Sequence, residues 1–173
     1  MVNGRLQPLL KRFVEQIEAV DELTVVVLKG HLLVEEALER ITTKFVHHGD
    51  HLLKADPRFP QLVAMARAMS LDDQDNSMWE LVLAVNGLRN QLAHSLEPSK
   101  RLQRFDQLKA LYASQIPNEH AEVLLAADLP DHKIATYAVA MCLGFLDSFE
   151  AEVERFRSVV NKMDKVLNPH RRK

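Results

Sequence analysis

The feature that most constrains this chain is a stripe of apolar residues near its C-terminal end. Ala135, Val139, Cys142, Leu146, Phe149, Val153, Phe156, Val160, Met163 and Leu167 follow one another by alternating steps of four and three. Those steps keep side chains on one side of an α-helix, as in the seam of a coiled coil. The pattern runs unbroken and predicts one helix over about 131–167. Its second half, EAEVERFRSVVNKMDK, is polar away from the seam. A seam that narrow packs against one partner helix, within the chain or in a second copy.

Shorter patterns upstream follow the same rule. Leu6, Leu9, Leu10, Phe13 and Ile17 predict a helix over 5–19, with Pro8 in its first turn. Val27, His31, Val34, Leu38, Ile41 and Phe45 predict one over 22–48, capped by Asp21 and stopped at Gly49. GDHLLKADPRFP, residues 49–60, reads as a connector, then a short helix over 60–69 and an acidic loop, LDDQDNS. Further helices are predicted over about 76–95 and 99–115, and IPNEHAEVLLAADLPD reads as an irregular connector. Strand-type alternation is scarce. The expectation is an all-α antiparallel bundle in one domain, 1–173, with two long antiparallel helices and several shorter ones.

Bulk charge narrows the partners. The formal net charge is -2, so a nucleic-acid partner needs a local basic patch. Lys100, Arg101, Arg104 and Lys109 would supply one if folded beside the 76–95 helix, although such runs are commonly a solvated face. Cys142 is the one cysteine, which allows no disulfide within the chain and reads as a small core residue. No apolar run approaches 18 residues, and the N-terminus lacks a signal-peptide pattern. A cytoplasmic protein with no membrane partner is expected.

The 76–95 helix carries the chemistry. On a wheel of 100° per residue, Leu81, Val85, Leu88 and Leu92 form the core face. The other face begins with Trp79, Val82 and Leu83 and ends with Asn86, Arg89, Asn90 and His94. A solvent face should not begin with tryptophan and leucine, so this helix is covered on both sides at its start. Its polar end suits a pocket or a subunit interface. Arginine binds phosphate oxygens as a fork, histidine exchanges protons near neutral pH, and asparagine orients either. The competing reading is a solvated helix end.

Two further groups stand out. His31 has Glu35 one turn on; the pair reads as a tethered core histidine, or as part of the same cleft. VHHGDH, residues 46–51, straddles an expected helix end, so its side chains are not expected to converge on a metal. The basic tail, NPHRRK, reads as a frayed end.

RNQLAH matches the R-[N/D/H]-x(3–5)-H motif of the HEPN superfamily, and the helical layout over about 20–165 resembles that family. The resemblance implies a homodimer with motif helices facing across a cleft. It also implies metal-independent endoribonuclease activity with no cofactor, in which the RNA 2′-hydroxyl attacks the adjacent phosphate. By that resemblance Arg89 stabilises the phosphorane, His94 acts as acid or base, and Asn90 orients. Active members include toxins, which pair with an antitoxin, antiphage factors and RNA-processing enzymes. The mannitol operon repressor family is similar in layout but less so around the histidine. It implies the alternative: a catalytically silent regulator holding a nucleotide, RNA or protein in the same cleft.

Overall fold

The computed structural model describes residues 20–71, 76–94, 98–117, 120–121 and 129–170, with Lys11 and Val14. The helix expected over 5–19 therefore lies almost wholly outside the described residues. Among those described, every regular element is helical: α1 Glu22–Phe45, α2 Gly49–Lys54, α3 Phe59–Ala68, α4 Met78–His94, α5 Pro98–Ser114 and α6 Asp131–Leu167. The protein is an all-α bundle. Asp21 caps α1 by accepting from the Thr24 amide at 2.9 Å, and Pro60 occupies the first turn of α3.

The two long helices form the spine, and they run parallel, not antiparallel as the sequence suggests. Glu22 at the start of α1 lies 3.0 Å from His132 at the start of α6. Lys44 at the end of α1 pairs with Glu150 and Glu154, and Phe45 stacks on Phe156 at 6.3 Å. An apolar stripe fixes which face packs but carries no direction, so sequence periodicity could not settle this. Antiparallel packing is supplied by α4. Trp79 at its start meets Phe145 and Phe149 edge-on at 4.8 and 5.3 Å, while Asn86 further along reaches His31 at mid-α1. Ser77, just before α4, bonds Gln115, just after α5, so those two helices are antiparallel as well.

Close approach of α1 to α6 depends on Gly30. A Cβ there would lie 2.8 Å from both γ-methyls of Val139. Around that contact Val27, Val34, Leu38 and Ile41 pack with Ile134, Ala138, Cys142 and Leu146, each at most 1% exposed. Burial pushes the Cys142 thiol up to about 12, which keeps it protonated and unreactive. An 18-residue window of α6 has mean hydropathy 1.3, long and apolar enough to cross a membrane, and 44% of that window is buried within the fold.

Gly49 departs from its expected role. α1 ends at Phe45, and Gly49 opens α2 inside the stretch read as a connector. Its φ is not positive, so it is not a left-handed helix stop. The chain doubles back there, and a Cβ would sit 2.7 Å from Thr43 Cβ and 2.9 Å from the Thr43 carbonyl. Glycine is needed for space, which a sequence pattern does not distinguish from a need for left-handed backbone.

Burial along the α6 seam stops at Val153. Phe156, Val159, Val160, Met163, Val166 and Leu167 are all exposed, the last two at 78% and 71%.

The two glycines in the long helices should respond oppositely to alanine. Gly30→Ala forces Val139 aside and should cost about 1–3 kcal/mol. Gly144, with nothing described within 4 Å of its Cβ position, should gain about 0.5–1 kcal/mol as alanine. Urea denaturation midpoints of the two variants would show the opposite signs.

Candidate functional site

The polar end of α4 faces the middle of α1, and the histidine on the α1 stripe is where they meet. His31 is 3% exposed, and its ring stacks on Phe59 of α3 at 4.5 Å. A buried imidazole needs a polar partner. Its Nε2 lies 3.1 Å from Asn86 Oδ1. The same oxygen accepts from Asn90 Nδ2 at 3.5 Å, and Asn90 Oδ1 accepts from Arg89 Nη1 at 3.1 Å. One polar chain thus runs from the core to the surface: His31, Asn86, Asn90, Arg89.

This chain fixes the histidine tautomer. Asn86 presents its oxygen to both neighbours, so His31 Nε2 carries the hydrogen and Nδ1 is bare. Nδ1 is buried with no hydrogen-bond partner among the described residues and lies 3.9 Å from a Glu35 carboxylate oxygen. Burial lowers the proton affinity of His31; the Asn86 bond and Glu35 oppose this, and the Arg89 charge adds to it. The net effect holds His31 neutral at pH 7.

Arg89 is half-buried, and no described carboxylate pairs with it. Its hydrogen bond goes to the neutral Asn90 amide, so its positive charge stays available to an anion. Asn90 is exposed to solvent. His94 is the last residue of α4, and its side chain lies outside the described residues. The structure therefore brings together Arg89 and Asn90 of the expected site and adds His31, Glu35 and Asn86. Asn86 was visible in the sequence only as one member of a polar face. Its partner His31 lies 55 residues away, a pairing that helical spacing does not reveal.

The basic residues of α5 divide. Arg104 lies against α4, where a Cβ at Gly87 would be 3.8 Å from its Nη1, and it donates to Gln107 at 3.1 Å. Arg101 is committed to Asp21 at the cap of α1. At the end of α1, His48 and His51 meet edge-on at 6.1 Å, exposed to solvent. Among the described residues no three His, Cys, Asp or Glu side chains converge as a metal site.

Comparison of this chain with known protein families, with curated proteins and with solved structures gives no match.

Because the fold holds His31 neutral, the unfolded chain binds more protons below the ordinary histidine value of 6.5. The stability from this site is fully present above that value and falls as pH drops toward the lowered folded-state value. Urea denaturation at about pH 7.5 and about pH 5.5 should show this loss, and His31→Gln, which cannot titrate, should lose less over the same interval.

Proposed function

We propose that this cleft binds an RNA phosphodiester and cleaves it without a metal, as an endoribonuclease of HEPN type. The observation that carries the reading is Arg89: a half-buried guanidinium, paired with no described carboxylate and held by Asn90 at the surface end of the polar chain. A guanidinium in that setting is built to take an anion, and its interaction with phosphate strengthens as negative charge grows on the phosphorane.

The reaction follows from the residue types. The 2′-hydroxyl oxygen attacks the adjacent phosphorus as a base removes its proton. The 5′-oxygen leaves and takes a proton. The products are a 2′,3′-cyclic phosphate and a 5′-hydroxyl, and no oxidant or metal is consumed. Arg89 stabilises the phosphorane, Asn90 orients the phosphate or the imidazole, and His94 carries the proton. His31 is too buried to reach substrate.

Two copies complete the reading. Val25 and Leu32, seven residues apart on one face of α1, are exposed at 41% and 55% next to the His31–Glu35 edge. An apolar patch beside a polar cleft supports dimerisation across it. A toxin, defence or RNA-processing role fits such an activity, with an antitoxin as partner in the first case. The second reading is a silent regulator of the mannitol-repressor kind, a module that binds a nucleotide, RNA or protein. It is favoured by the net charge of -2 and by Glu35 at the cleft, both of which repel a polyanion.

Purified protein in EDTA should cut a mixed RNA pool and leave 2′,3′-cyclic ends. Arg89→Ala and His94→Ala should each slow cleavage by on the order of a hundredfold or more. Absence of cleavage by folded wild type would remove the nuclease reading in favour of the binding module. Light scattering should give twice the chain mass, and Leu32→Glu should shift it toward the monomer.

A further inference from the structure

The catalytic reading names three residues on one helix, yet the guanidinium it depends on is not fixed by that helix alone. Among the described residues Arg89 has one hydrogen bond, to Asn90 Oδ1 at 3.1 Å. Which way the Asn90 amide faces is biased by its Nδ2, which donates to Asn86 Oδ1 at 3.5 Å and so turns its oxygen toward Arg89. Asn86 in turn must show its oxygen rather than its amide nitrogen. If Asn86 turned over, two NH2 groups would face each other and Asn90 would turn too. What holds Asn86 is the Nε2–H of His31 at 3.1 Å.

The origin of this chain is rigid. His31 is almost fully buried, stacked on Phe59, and set on α1 one residue after the Gly30 contact with Val139. We propose that His31 is a positioning residue: through Asn86 and Asn90 it fixes the orientation in which Arg89 meets a phosphate in the cleft. This rests on the reading of Arg89 as the anion-binding group, and extends the site onto a second helix.

Glu35 belongs to the same device. Its carboxylate faces the bare Nδ1 at 3.9 Å and makes no hydrogen bond to it while His31 is neutral. Two acceptors face each other, so a proton arriving on Nδ1 would join them. The charged groups facing His31 are Glu35 on its own helix and Arg89 on α4; α3 presents the uncharged Phe59. Protonated His31 still donates from Nε2, so the chain to Arg89 survives acid pH and does not act as its switch.

The test follows the guanidinium directly, independently of activity. Nitrogen-15 NMR should show Arg89 with slow rotation about its Nε–Cζ bond and His31 with hydrogen on Nε2. His31→Phe, which keeps the ring stack and removes the donor, should free that rotation. His31→Gln, whose amide can again donate to Asn86, should restore it. Asn86→Ala cuts the chain from α4 while the His31–Phe59 stack stays in place, and should free it as well, which covers the case in which His31→Phe fails to fold. Unchanged Arg89 rotation in folded His31→Phe and Asn86→Ala would overturn the proposal. If RNA is cut, His31→Phe should lower kcat on the order of a hundredfold with KM little changed, and His31→Gln should recover most of it. Relay-dependent Arg89 order with no RNA cleavage would instead remove the nuclease reading and leave the positioning role standing.

Discussion

The structure depends on one close contact, the backbone of α1 against Val139 of α6 at Gly30. Without a Cβ at that point the two long helices lie near enough for their apolar faces to interdigitate. That packing sets the angle and height at which α1 presents His31, the next residue, to α4. A larger residue at 30 would displace the imidazole from Asn86 as surely as it would loosen the core. Fold and site are therefore coupled through adjacent residues of one helix.

Ionic groups complete the spine at its ends, where apolar burial runs out. At one end Asp21 takes Arg101, and Glu22 takes His132. At the other, Lys44 is held between Glu150 and Glu154, Arg40 also reaches Glu150 at 3.1 Å, and Arg157 donates to the Lys44 carbonyl. That last bond satisfies a carbonyl at a helix end, where no partner exists within the helix. Burial alone would raise the Glu150 carboxyl; hydrogen bonds from Lys44 and Arg40 outweigh it and hold the group below its ordinary value. Glu22 with His132 joins start to start, and Lys44 and Arg40 join the end of α1 to the middle of α6, contacts that the parallel arrangement allows and its reverse does not.

Much of this was legible in the sequence, because helical periodicity reports burial. In the Leu81, Val85, Leu88 and Leu92 stripe the first three are buried and Leu92 partly so, and on the second face Trp79 and Val82 are buried and Leu83 partly so. The extent of α6 matches its seam. What periodicity could not report is pairing between distant segments. It gave His31 a place in the core but not Asn86 as its partner, and it gave the long helices faces but no relative direction. Gly49 shows a third limit: glycine marks either a backbone angle or a lack of space, and only packing tells which.

The length of α6 has a consequence of its own. At 1.5 Å per residue it spans about 55 Å against about 36 Å for α1, so its C-terminal turns run past the end of α1, where Ser158, Asn161, Lys162 and Lys165 line a hollow with Lys44. A free peptide that short would not hold a helix, because starting one is costly. Here the first turns are already formed, and each added residue extends an existing helix at little cost in either direction. The final turns therefore draw their helical form from the packed turns before them, and their exposed Val159, Val160, Met163, Val166 and Leu167 add little burial of their own.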